Sequence, residues 1–121
     1  MAYTEVAVVE SSSTAGTRYD GQGTAGENGG AGNGLSFQNN GKTILLLENT
    51  GSSAPVVTVV TGQTVDSLAI ANVAITMVAN QDQFIGPFPR GVWNQTGAGA
   101  GLVYIEFDSN ASDVLVLPIS Y

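Results

Sequence analysis

The sequence predicts an all-β protein, a compact β-sandwich or small barrel of about seven or eight strands. From residue 35 onward, short runs rich in Val, Ile and Thr alternate with turn sequences built on Gly, Asn and Pro. No window repeats apolar residues at the helical period between capping residues. Charged residues make up only 11% of the 121 positions, so hydroxyl and amide side chains must cover much of the surface. The chain is long enough to bury one core.

The first third of the chain differs from the rest. Residues 4–10 are the first β-prone segment, and residues 14–34 hold half of the 16 glycines. Ordering glycine costs backbone entropy, and this stretch has almost no apolar area to offset that cost. The sequence therefore predicts three segments: an N-terminal arm or strand over 1–13, a Gly-rich flexible loop over 14–34 and a β-sandwich domain over 35–121.

Two strongly apolar runs follow. Residues 42–48 are almost continuously apolar, which predicts a central strand covered on both faces. Residues 55–61 are β-branched nearly throughout, and Pro55 stands at their start, where a missing N–H does least harm. Because 49–53 have turn chemistry, we expect the two runs to form a hairpin.

Five shorter runs complete the predicted strands, and all are bounded by turn residues. They are residues 64–70, 72–79, 83–85, 101–107 and 114–119. Within the second of them, Val73, Ile75 and Met77 fall on one face. Pro118 predicts that the end of the last strand lies at a sheet edge.

Composition excludes several classes of function. The chain has no Cys and no His, which removes disulfides, thiol nucleophiles, imidazole bases and ordinary zinc or haem ligation. The net charge is −7 with three Lys and Arg, so neither nucleic acid nor an anionic membrane surface is an expected partner. No apolar run is long enough to span a bilayer, and no signal-peptide pattern follows Met1. We therefore expect the chain to be made, and to stay soluble, in a cytoplasm.

Possible catalytic and binding motifs have simpler interpretations. Asp66, Asp82 and Glu106 show no spacing that would pair carboxylates for acid–base work. Residues 108–113 (DSNASD) lack the central Gly and distal Glu of a calcium loop, so a polar turn is the simpler interpretation. The run GQGTAG at 21–26 matches a dinucleotide motif without the strand and helix that the motif needs. We predict no enzyme, no catalytic residue, no cofactor and no metal.

Several segments resemble a family of small tailed-phage virion proteins that are commonly encoded beside the major capsid protein. They are GLSFQNNGKT (34–43), TVDSLAI (64–70), FIGPFP (84–89) and WNQ (93–95). The resemblance covers residues 34–121. It implies a β-sandwich on the outside of an icosahedral head, made in the host cytoplasm, that acts as a capsid decoration or cement protein. It also implies the major capsid protein as partner, and self-association with a trimer favoured.

The expected contact residues follow from this hypothesis. A detached strand can pair with a neighbouring subunit, so Val6, Val8 and Val9 are expected to anchor the arm. Phe88 and Trp93 are the other expected interaction residues. The alternative is a receptor- or carbohydrate-binding module of a tail or head fibre, which needs an exposed aromatic patch around Phe88 and Trp93.

Overall fold

The computed structural model describes residues 3–10, 23–26, 34–62, 64–65, 68–69, 71–96, 99–108 and 110–120. Across these residues, ten strands form two mixed sheets whose inner faces pack on one hydrophobic core. The predicted all-β sandwich is confirmed. The number of strands is ten rather than seven or eight, since short segments add strands beside the long ones.

The described strands fall in the following order along the chain. They are β1 (Tyr3–Val6), β2 (Val9–Glu10), β3 (Thr24–Ala25), β4 (Gly34–Gln38), β5 (Thr43–Asn49), β6 (Val56–Val60), β7 (Thr64–Val65), β8 (Leu68–Ala69), β9 (Val73–Thr76), β10 (Asp82–Ile85), β11 (Leu102–Phe107) and β12 (Val114–Ser120). One helical turn, α1 (Arg90–Trp93), follows β10, and a 3-10 turn (Ala111–Asp113) precedes β12.

The two sheets have complementary strand orders. Sheet A runs β1-β4-β11-β6-β9, and sheet B runs β10-β5-β12-β2, with β3 also beside β12. The β1–β4 and β2–β12 pairs are parallel, and the other pairs in these sheets are antiparallel. Strands β7 and β8 pair only with each other. They lie within the predicted strand 64–70, of which residues 66, 67 and 70 lie outside the described residues.

The alternation predicted for the later strands is confirmed. In β9, Val73 lies opposite Val59 and Ile75 opposite Val57, so both point to the inner face of sheet A. Met77 continues this side and is buried in the core. In β11, the alternate residues 103, 105 and 107 are likewise fully buried. Strand β5 is covered on both faces, as its continuous apolar run predicted.

The predicted hairpin between residues 42–48 and 55–61 is wrong. Strand β5 belongs to sheet B and β6 to sheet A, so the intervening turn crosses between the layers. The Asn49 side chain organises this crossing: its amide donates to the carbonyls of Ser53 at 2.8 Å and Val78 at 3.2 Å. Turn chemistry marks where the chain reverses but does not determine whether the next strand pairs or packs.

Pro118 does not lie at a sheet edge, which corrects a second expectation. Strand β12 is interior to sheet B, with β5 on one side and both β2 and β3 on the other. On that second side, β3 pairs with residues 115–116 and β2 with 119–120. Pro118 falls in the gap between them, so its missing N–H interrupts neither short pair.

The N-terminal segment contributes to both sheets, where the sequence predicts a separate arm. Strand β1 lies beside β4, and β2 lies beside β12, so residues 3–10 cross from sheet A to sheet B. The ring of Tyr3 stacks on Tyr104 with centroids 3.8 Å apart, and its hydroxyl donates a hydrogen bond to Glu106. Within the predicted Gly-rich loop, residues 23–26 include β3, while 14–22 and 27–33 lie outside the described residues.

Candidate functional site

The three valines predicted to anchor an arm lie in different environments. Val6 is buried in the core, and Val8 packs against it where the chain crosses between the sheets. Val8 also borders a polar depression of about 250 Å³. Val9 is 37% exposed and pairs with Ile119. Of the three, only Val9 presents a largely accessible apolar surface.

The two predicted aromatic contact residues are brought together, but inside the protein. Phe88 is 2% exposed, and Trp93 packs edge-on against it with ring centroids 5.8 Å apart. Phe37 contacts the other side of Phe88 at a centroid distance of 5.6 Å. Because Phe88 fills the end of the core, its ring offers no face to a ligand.

A buried amide pair fixes this aromatic cluster. The Asn39 amide donates to the carbonyl of Phe88 at 2.8 Å and to Asn94 Oδ1 at 2.7 Å. Asn94 returns a bond to the Asn39 carbonyl at 3.2 Å, and Asn39 Oδ1 accepts the Gly41 N–H at 3.0 Å. The motif at 38–43 is therefore structural, since it ties the end of β4 to α1 and to the turn before it.

The opposite side of the sandwich is open. Residues 7–8 close one side by crossing between the sheets, whereas β9 and β10 are the edge strands of sheets A and B on the other. A cleft of about 390 Å³ opens there between the two edges. We call this region the open side. It is lined by Leu47, Ile75, Gln83, Phe84 and Ile85.

Exposed apolar side chains concentrate around the open side. Five large apolar side chains are exposed in the part of the chain that the structure describes, and one of them, Val9, lies far from this region in sequence. Val73, Val78 and Phe84 belong to β9, to β10 and to the segment that joins them, and Leu68 lies in β8 just before β9. Phe84 is 67% exposed. Apolar exposure of this kind marks interaction surfaces.

The cleft also contains one unmet polar group. Gln83 Oε1 is buried from solvent and has no hydrogen-bond partner among the described residues. The neighbouring side chains Leu47, Ile75 and Ile85 are aliphatic and offer it no donor. The site therefore combines apolar walls with a single acceptor that lacks a donor.

Charge is distributed unevenly over the described residues. Glu48 and Asp82 are cross-strand neighbours on the outer face of sheet B, at one end of the open side. Asp108 lies at the same end of the sandwich, where its Oδ1 accepts the Val56 N–H at 2.8 Å. Lys42 and Arg90 lie at the other end, beside Gly41. The open side thus borders the acidic end.

Candidate catalytic and metal chemistry is not assembled in the described residues. Within them, no group of three or more His, Cys, Asp or Glu side chains is placed to hold a metal ion. Asp66 lies outside the described residues, and the Tyr3 hydroxyl occupies Glu106. Among the described helices, none is long and apolar enough to cross a membrane.

The fold and the site together define a β-sandwich with one open, apolar side. No protein-family model, curated protein or solved structure matches the chain. A sandwich architecture supports many unrelated functions, so the functional conclusion has to come from the open side itself.

Sequence reasoning did not select the residues of the open side. Phe84 and Ile85 were visible as part of a short strand, but one turn sequence separates them from Phe88, and all were equally apolar. The available signal was the shortness of the runs at 72–79 and 83–85, because short strands are typical of sheet edges. Their proximity depends on how the two sheets stack, which no local pattern contains.

Proposed function

We propose that this protein is a structural virion protein that binds the outer surface of an assembled phage head and stabilises it. The observation that carries the proposal is the open side, where a cleft, an edge strand and exposed apolar side chains lie together. The resemblance of residues 34–121 to small tailed-phage virion proteins supports the head, and within it the major capsid protein, as the partner.

Charge and composition support the same proposal. A protein with a net charge of −7 is repelled by packaged DNA and suits an outer surface better than an inner one. Binding only to the assembled lattice stabilises that lattice by mass action, and the effect repeats at every site. The function therefore needs no catalytic group, only a surface that fits the lattice.

Self-association belongs to the proposal. The resemblance implies that such proteins form trimers, and we expect copies of this chain to associate as trimers on the head. Sedimentation velocity of the purified protein, run across a range of concentrations, tests whether the trimer forms before binding.

The alternative function, a receptor- or carbohydrate-binding module of a fibre, has weaker support. A sugar platform on Phe88 and Trp93 requires accessible ring faces, whereas Phe88 is buried and Trp93 packs against it. Phe84 is the exposed aromatic at the open side. A single ring beside an aliphatic cleft fits a protein partner better than a sugar.

Co-sedimentation with phage heads tests the proposal. Purified protein is mixed with expanded, undecorated heads and, separately, with unexpanded precursor heads of the phage that encodes it. We expect saturable binding to expanded heads and a higher temperature of head disruption. Absence of binding to both would contradict the proposal, and glycan screening would then test the alternative.

Two matched variants locate the contact. Phe84→Ser and Val9→Ser each remove one exposed apolar side chain, on the open side and in β2 respectively. We expect Phe84→Ser to weaken head binding about tenfold or more and Val9→Ser to leave it unchanged. The reverse pattern would favour the N-terminal segment as the contact.

A further inference from the structure

Strand β10 is an edge strand with little protection against pairing. Its residues Asp82–Ile85 pair with β5 on one side, and no described strand lies on the other. Natural edge strands are usually blunted by Lys, Pro, a bulge or a covering segment. Strand β10 (DQFI) contains neither Lys nor Pro. Its free edge can therefore accept a further strand by main-chain hydrogen bonding.

The cleft beside this edge has the shape and chemistry for one apolar side chain and one donor. Its volume of about 390 Å³ is bounded by Leu47, Ile75 and Ile85, so an aliphatic or aromatic side chain can fill it. Gln83 Oε1 lies buried there with no hydrogen-bond partner among the described residues. An incoming N–H group would satisfy that acceptor and remove the cost of burying it.

The charge at the end of β10 adds a third requirement. Asp82 and Glu48 are direct cross-strand neighbours, and like charges at such positions repel each other. A Lys or Arg on the incoming segment would relieve this repulsion and would be attracted by the net charge of −7. The partner segment should therefore carry a positive charge next to its apolar residue.

From these three features we infer that the open side binds an extended segment of the capsid lattice as an added strand along β10. An apolar side chain of the segment enters the cleft, an N–H group donates to Gln83, and a basic residue lies against Asp82 and Glu48. This inference rests on the proposed function, and it identifies the contact surface and the chemistry of the contacting segment.

Hydrogen exchange on the intact protein tests the added strand. Exchange is measured by mass spectrometry on the free protein and on protein bound to expanded heads. We expect amide exchange in residues 82–85 to slow at least tenfold on binding, because main-chain bonds would form along the free edge. Strand β1, the edge of sheet A on the other side, serves as the internal control and should exchange at an unchanged rate.

A pair of substitutions tests the unmet acceptor. Gln83→Leu removes it and keeps the cleft wall apolar, so we expect a raised melting temperature of the free protein together with about tenfold weaker head binding, or about 1.4 kcal/mol. Ser36→Ala is the matched control: Ser36 Oγ is also buried without a partner, but it belongs to β4, away from the open side. We expect Ser36→Ala to raise the melting temperature and leave binding unchanged.

The outcomes separate the inference from the proposed function. Failure of the wild-type protein to bind expanded heads would overturn both. Binding by the wild type without slowed exchange at 82–85 would overturn only the added strand. Full binding by Gln83→Leu, with a raised melting temperature, would show that the acceptor is not used by the partner.

Discussion

Phe84 and Leu46 lie directly opposite each other in the β5–β10 pair, yet 67% of Phe84 is exposed and only 1% of Leu46. Both point to the outer face of sheet B. The difference comes from position, since Leu46 is in an interior strand and Phe84 is in the edge strand next to the open side. A large aromatic side chain left accessible at an edge is the feature on which the proposed contact depends.

The same substitution at two phenylalanines four positions apart should have very different effects. Phe84→Ala should change the free energy of unfolding by less than about 0.5 kcal/mol, because the side chain is largely in water already. Phe88→Ala should reduce it by about 3–5 kcal/mol, because it leaves a cavity beside Phe37 and Trp93. Urea denaturation measures both. Equal effects would contradict the burial assigned to the two rings.

The buried amide pair should be strongly coupled. Asn39→Ala removes bonds to Phe88, Asn94 and Gly41, so it should cost about 2 kcal/mol or more. Asn94→Ala should cost a similar amount, and the double variant should lose less than the sum, since both remove the same bond. Asn40→Ala, at an exposed neighbour, is the control and should cost about 1 kcal/mol or less. Strict additivity in the urea series would argue against the pair.

A close backbone contact should make Gly34 irreplaceable. Gly34 has φ +155, and a Cβ there would lie 1.9 Å from the carbonyl oxygen of Ile105 in β11. Gly34→Ala should therefore break the β4–β11 pairing locally and cost about 4 kcal/mol or more. Gly91→Ala is the control, because nothing lies within 4 Å of its Cβ position and α1 favours Ala. Thermal unfolding should show Gly91→Ala as neutral or stabilising.

The N-terminal strands should be needed for stability. Val6 is buried in the core, and Tyr3 stacks on Tyr104 and bonds to Glu106. Removing residues 1–10 deletes β1 and β2 and uncovers the side of the core at Val6, so the midpoint of urea denaturation should fall sharply. A truncated protein with an unchanged midpoint would restore the interpretation of these residues as a separate arm.

Strand positions were predictable because they depend on local chemistry. Alternating Val, Ile and Phe in β11 and the continuous apolar run of β5 determine period and burial within a few residues. Strand partners were less accessible. The turn after Asn49 has hairpin chemistry, and Pro118 has edge chemistry, yet in the structure one crosses between sheets and the other lies in an interior strand.

The candidate site illustrates the same division. By itself, the sequence determined the all-β class, the alternation that builds the core and, through the absence of Cys and His, the exclusion of thiol and imidazole chemistry. Only the tertiary structure decided that Phe88 is buried, that Phe84 is exposed, and that β9 and β10 face each other across an open cleft. The physical reason is that backbone preference and apolar periodicity act over neighbouring residues, whereas exposure depends on which strands end up at the edges of two stacked sheets.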